Sequence, residues 1–224
     1  MGRYSSGTLN IQIDELEPSS STPQPALILL HGAGGAASYW MDRFAPTLRE
    51  AGVCVYAPHY FEKTATERAT TAMILDGRHF IAWLATVHDA VSYVASRPSV
   101  DPARIGVLGI SLGGYLAVAL GIEDGRVQAV VELSGGVPLG WEERLTTAMA
   151  PTLILHGAKD NVVPVDEAYK LQALLEEQRV PHDIEIFPTE SHWFGEAAQM
   201  PLMMRCATFL SRHLFVDGRL AKAS

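Results

Sequence analysis

Ile105-Gly106-Val107-Leu108-Gly109-Ile110-Ser111-Leu112-Gly113-Gly114-Tyr115-Leu116-Ala117-Val118-Ala119-Leu120 decides how the rest of this chain is read. Its first part, Ile105–Ile110, is an apolar run of strand type, and its second part reads as a helix. At the junction stands Gly109-x-Ser111-x-Gly113. A serine on so tight a strand-to-helix turn takes a strained backbone conformation, and only glycine-sized neighbours two residues to either side avoid a clash. The turn lifts the hydroxyl into solvent at a helix N-terminus, where backbone donors favour developing negative charge. The five-residue pattern alone is common. Its strand-before, helix-after setting makes Ser111 a candidate nucleophile rather than a capping serine.

Working outward, apolar runs alternate with helix-period segments. Strands are expected at Ala26–Leu30, Val53–Ala57, Ile105–Ile110, Val127–Leu133, Thr152–Leu155 and Asp183–Phe187. Their nearly continuous apolar character fits parallel strands covered on both faces. Thr8–Ile13 alternates instead and is expected at a sheet edge, with residues 1–25 forming that edge strand and a Pro/Ser-rich surface connection. Phe80, Trp83, Leu84, Val87, Val91 and Val94 recur at helical spacing. Ala168, Leu171 and Leu175 mark a second helix, and Leu202, Cys206, Phe209 and Leu210 a third. The alternation predicts one α/β domain over 1–224 with an open, mostly parallel central sheet and helices on both faces. Tyr60–Asp76 has neither period and is the segment available for a minimal lid or pocket wall.

Composition bounds the partners. The chain has 224 residues, 48% of them hydrophobic, with 25 acidic against 17 basic side chains and a formal charge of −8. No basic stripe is present, which argues against nucleic acid or an anionic membrane surface. The apolar runs are too short to span a bilayer. Cys54 and Cys206 both fall on apolar faces and read as packing thiols, and a cytoplasmic location is the expectation. No His/Cys/Asp cluster has metal-ligand spacing, so no metal or other cofactor is expected.

A serine hydroxyl needs a base to take its proton and an acid to orient that base. In an open α/β sheet such groups project from the carboxyl ends of strands. Asp160 meets this condition after Thr152–Leu155, and His192 meets it in the loop after the last strand. Asp166 is the alternative acid, although it falls in the first turn of a helix. His59, after Val53–Ala57, is the alternative base, although it precedes the serine. The loop His31-Gly32-Ala33-Gly34-Gly35 follows the Ala26–Leu30 run. An oxyanion needs two preorganised N–H donors, expected from Ala33 and Leu112, each worth about 10²–10³ in rate. No Gly-Lys-Ser/Thr and no Gly-x-Gly-x-x-Gly accompanies the glycines, which disfavours nucleotide binding.

These residues resemble the dienelactone hydrolase family of α/β-hydrolases, from about Ala26 to Leu210. The resemblance rests on Leu30–Gly35, Phe44–Tyr60, Val100–Gly106, Gly109–Gly114, His156-Gly157-x-x-Asp160 with Val163-Pro164, and His192-x-Phe194. It implies an α/β-hydrolase fold whose triad is Ser111, Asp160 and His192, with Ala33 and Leu112 as oxyanion donors. Two departures are plain. The namesake enzymes use a cysteine where this chain has Ser111, and they pair it with a glutamate where this chain has Gly32.

The expected activity is hydrolysis of a small carboxylic ester or lactone through an acyl-enzyme, with that small molecule as the expected partner. Tyr60, Tyr115, Trp193 and Phe194 are candidates for an apolar acyl pocket. Acyl transfer or perhydrolysis on the same triad is one rival. A non-catalytic binding module on a hydrolase fold is another, and it would have no use for an intact triad and two glycine elements.

Overall fold

The computed structural model describes residues 1–215; residues 216–224 of the expected unit lie outside the described residues. Eight strands form one sheet: β1 (Gly2–Ser6), β2 (Leu9–Leu16), β3 (Gln24–Leu30), β4 (Cys54–Pro58), β5 (Val100–Ile110), β6 (Val127–Leu133), β7 (Thr152–Gly157) and β8 (His182–Phe187). Their spatial order is β1-β2-β4-β3-β5-β6-β7-β8. β3 to β8 are mutually parallel, whereas β1 and β2 add to β4 in antiparallel fashion. All six apolar runs are strands of the parallel part. The chain winds from β3 outward to β4, then returns to the other side of β3 as β5. This reversal opens a crevice at the carboxyl ends of β3 and β5, where open α/β sheets hold their ligands.

Helices cover both faces. α3 (Arg78–Ala95), α4 (Leu112–Glu123) and α5 (Asp166–Glu177) lie on one face, where Trp83, Val87, Val91, Leu116, Leu120, Leu171 and Leu175 are fully buried. α1 (Ala37–Glu50) and α6 (Glu196–Leu214) lie on the other and bury Met41, Ala45, Leu202, Phe209 and Leu210. Cys54 and Cys206 are free, buried thiols in opposite layers. α2 (Thr71–Leu75) is a single short turn of helix capped by the Thr70 hydroxyl.

The amino-terminal segment departs from its sequence reading. Residues expected as one edge strand form two, and β2, not at the edge, lies between β1 and β4. Gly7, at φ 58°, turns the hairpin. β1 is Gly-Arg-Tyr-Ser-Ser, which has no apolar run to announce a strand, yet Tyr4 and Ser6 alternate inward and are buried. Tyr4 donates to the Thr86 carbonyl at 3.1 Å. α1 also lacks a strong apolar signal because alanines carry much of its inner face, with Ala37, Met41 and Ala45 repeating every four residues.

Trp83 anchors the α3 face, fully buried with its indole N–H donating to Thr64 Oγ1 at 2.7 Å. Trp83→Ala is expected to cost about 3–5 kcal/mol, read as a lowered urea midpoint at unchanged slope.

Candidate active site

Ser111 joins β5 to α4 at φ 56° and ψ −119°, a region in which a residue with a side chain is strained. Its backbone is held from both sides. Its N–H donates to the Leu133 carbonyl at 2.8 Å, and its carbonyl accepts from the N–H groups of Gly114 at 2.8 Å and Tyr115 at 3.3 Å. The flanking glycines are obligatory for the same geometry. A Cβ on Gly109 would collide with the Gly113 carbonyl, and one on Gly113 with the carbonyls of Leu30 and His31.

His192 and Asp160 converge on this serine from loops after β8 and β7. His192 Nε2 lies 3.1 Å from Ser111 Oγ, and His192 Nδ1 lies 2.8 Å from Asp160 Oδ2. The side chain of Asp160 is inaccessible, and its Oδ1 accepts from the N–H groups of Val162 at 2.8 Å and Val163 at 2.9 Å. Burial works to raise its pKa, but the His192 hydrogen bond and those two N–H donors outweigh burial and hold the carboxyl below its ordinary range. Asp166 instead opens α5. His59 instead pairs with Asp14 at 3.0 Å, which also accepts from Ser38 Oγ at 2.8 Å.

The loop after β3 is fastened from within. Gly32's carbonyl accepts from Gly35 N–H at 3.1 Å and from His31 Nδ1 at 2.9 Å. The peptide plane therefore turns the Ala33 N–H the opposite way, out of the loop. Burial pushes His31 down to about 4, so its ring is neutral at neutral pH and donates through Nδ1. A Cβ on Gly32 would stand 3.3 Å from Ser111 Cβ, so this loop and the serine are in close contact. Leu112, as the first residue of α4, has no intrahelical acceptor for its N–H.

Four residues expected around an acyl pocket fare differently. Tyr60 is fully buried: its ring stacks on His31 at 4.1 Å and 8°, and its hydroxyl donates to the His31 carbonyl at 2.6 Å. It is a brace for the loop, not a pocket wall, because the stack leaves no face for a ligand. Phe194 packs edge-on against Phe187 at 5.0 Å and rests on the α1/α6 core. Tyr115 is half-buried against the other core. Trp193 is 68% exposed with its ring edge-on to His192 at 5.0 Å, and so offers apolar surface next to that histidine. Part of the Tyr60–Asp76 segment walls a cavity that none of Ser111, Asp160 and His192 lines. Phe61, Glu62 and Ala65–Glu67 line one side of a cavity of about 340 Å³ against His31, Gly35 and His59, and Ala69 N–H donates to the Ala33 carbonyl at 2.8 Å.

Sequence reasoning missed Glu132, a wholly buried carboxyl one residue from the end of β6. Its signal was a lone acidic residue in the otherwise apolar stretch Ala129-Val130-Val131-Glu132-Leu133. Among the described residues no group of three or more His, Cys, Asp or Glu could hold a metal ion, and no helix is long and apolar enough to cross a membrane.

A parallel sheet with a serine turn after β5, an acid after β7 and a histidine after β8 defines the α/β-hydrolase class. Residues 15–205 match the model of the dienelactone hydrolase family, and the chain belongs to that family of hydrolases. Mouse (Mus musculus) acyl-coenzyme A thioesterase 2, mitochondrial, is 30% identical over 120 residues, which is 54% of this chain and 24% of that protein. A dienelactone hydrolase-like promiscuous phosphotriesterase from metagenomic libraries superimposes with TM-score 0.81 at 16% identity, over 95% of this chain and 96% of that one. The Pyrococcus horikoshii acylaminoacyl peptidase gives TM-score 0.71 at 16% identity over 93% of this chain, which spans 41% of the peptidase. The two structural likenesses establish the fold.

Tyr60→Phe removes the hydrogen bond to the His31 carbonyl and keeps the ring stack. It is expected to cost about 1 kcal/mol of stability in chemical denaturation, with far-ultraviolet circular dichroism unchanged. Gly113→Ala, by contrast, has no room for its methyl group and is expected to yield no folded protein in the soluble fraction.

Proposed function

We propose that this chain is a serine esterase that cleaves small carboxylic esters through an acyl-enzyme. The observation that carries the reading is the unbroken line from Ser111 Oγ to His192 Nε2 at 3.1 Å and from His192 Nδ1 to Asp160 at 2.8 Å. His192 takes the Ser111 proton as the oxygen attacks the ester carbonyl. Asp160, acceptor-only when ionised, holds the imidazole in the Nδ1–H tautomer and stabilises the imidazolium that forms. The Ala33 and Leu112 N–H groups receive the oxyanion. His192 then hands its proton to the leaving alcohol and takes one from water; the hydroxide so formed attacks the acyl carbonyl, and His192 returns that proton to Ser111 Oγ as the acid is released.

Supporting features lie around this line. The His31–Tyr60 stack holds the loop that carries Ala33. Trp193 and Tyr115 flank the site and are the residues assigned to the acyl group. With Ser111 and Gly32 in place of the thiol and glutamate of the namesake enzymes, the reading favours a general ester over a dienelactone. Likeness to an acyl-coenzyme A thioesterase brings thioesters within the same chemistry, because the acyl-enzyme is common to both. Lactones and alternative acyl acceptors are further arms of the test.

Hydrolysis of p-nitrophenyl esters from acetate to decanoate, with butyryl-coenzyme A alongside, tests the reading. Ser111→Ala is expected to abolish turnover and labelling by a fluorophosphonate. Asp160→Asn is expected to lower kcat by about 10⁴ through the wrong tautomer. Turnover that survives Ser111→Ala would sink the assignment. Product partitioning toward an added alcohol or peroxide over water would reassign the chain to acyl transfer.

A further inference from the structure

Glu132 lies in β6 opposite Gly109 of β5 and Ile154 of β7, with no accessible surface. Its Oε1 accepts from the Gly135 N–H. The carboxyl fills space left by two missing side chains. A Cβ on Gly114 would stand 3.2 Å from Oε1, and one on Gly135 would stand 2.8 Å from Oε1 and 3.0 Å from the Ser111 carbonyl oxygen. The acid is therefore packed into the underside of the turn that carries the nucleophile.

Its second oxygen, Oε2, has no partner among the described residues, and the same holds for Ser134 Oγ and His156 Nδ1. Their residues lie together at the carboxyl ends of β6 and β7. Ser134 N–H donates to the Leu155 carbonyl at 2.9 Å, which sets Ser134 beside His156. Glu132 pairs with Ile154, and the two-residue alternation of β7 puts His156 on the face that Ile154 and Glu132 share. Their chemistries are complementary. His156 Nε2–H donates to the Val163 carbonyl at 2.9 Å, which leaves Nδ1 as a bare acceptor. Burial, helped by the charge of Asp160, pushes the Glu132 carboxyl up to about 8, so at neutral pH Oε2 carries a proton to donate. A serine hydroxyl can accept and donate at once.

Resting on the reading of Ser111 and Asp160 given above, we propose that Glu132 is a positioning residue. By way of internal water, its carboxyl group closes a buried hydrogen-bond chain through Ser134 to His156, and so clamps the nucleophile turn to the Asp160 loop. The far end of the chain reaches that loop because His156 Nε2 also stands 3.4 Å from Asp160 Oδ2. The titratable groups around Glu132 are Asp160 and His156 from the β7 side, Tyr115 from α4 and Glu167 from α5.

The folded value of Glu132, about 8, lies above the unfolded value of 4.5, so the native state keeps a proton that the unfolded state releases. The stability contributed is complete below 4.5 and is lost as pH rises to about 8. Above that pH the ionised carboxyl has no donor role and sets a second negative charge near Asp160.

Glu132→Gln keeps the shape and a donor but cannot ionise. Three readouts are compared with wild type: kcat and KM for p-nitrophenyl acetate against pH, melting temperature over the same range, and the infrared C=O band of a protonated carboxyl at pH 7. Wild type is expected to lose kcat at constant KM with a midpoint of about 8, to lose melting temperature across that range relative to E132Q, and to show the band. E132Q is expected to lose the band and the alkaline fall in kcat. Ser134→Ala is expected to lower kcat several-fold at constant KM. Coincident pH profiles and melting curves, or no protonated band in wild type at pH 7, would overturn the proposal. The band and the melting curves need no substrate, so they decide it even if the esterase reading fails. If E132Q does not fold, the wild-type band and its titration decide alone.

Discussion

The structure turns on one backbone residue held where backbone does not ordinarily rest. A side-chain-bearing residue at the dihedrals of Ser111 costs about 1–3 kcal/mol and survives only if its surroundings leave no alternative. Those surroundings come from several elements. β6 supplies the carbonyl that takes the Ser111 N–H, α4 supplies two N–H groups for its carbonyl, and bare glycines let the turn press against the end of β3. The sheet order makes this possible, because only the reversal between β3 and β5 brings the glycine loop and the serine turn side by side. The strain is local, but its support extends across the middle of the sheet.

Around that point the polar groups are arranged by burial. His31 is kept neutral by burial, and its ring ties the Gly32 carbonyl. Asp160 is kept ionised by His192 and two backbone donors although solvent does not reach it. Glu132, with a single backbone donor, is left to hold its proton. Neighbouring carboxyls in one buried region thus take opposite charge states, and the number of hydrogen bonds offered to each decides which.

Much of this could be read from the residues. The apolar runs specified the parallel strands because all but the half-buried edge strand β8 are buried on both faces, and the helical stripe from Phe80 to Val94 specified α3. Ser111, Asp160 and His192 were legible because chemistry demands their residue types at strand ends, and the structure brings those three side chains into hydrogen-bonding distance. What escaped was written in weaker signals. β1 is held by pairing and by a tyrosine hydroxyl, neither of which leaves an apolar trace. Tyr60 has the composition of a pocket residue, and only its stack on His31 reveals a brace. Glu132 escaped because its role depends on strand register, which places two glycines from other segments against it.

The closeness of Gly32 to Ser111 bears on how such a site can change over time. The nucleophile's position is set by main chain, so the oxygen could be exchanged for sulfur without moving the turn. The acid that accompanies a thiol in related enzymes would have to arise at position 32, where a Cβ stands 3.2 Å from the Ile110 carbonyl oxygen and 3.3 Å from Ser111 Cβ. A side chain there presses on the nucleophile before it can assist it. Conversion between the serine and cysteine forms is therefore constrained in order: the loop must first draw back by a few tenths of an ångström, and only then does the second substitution become acceptable.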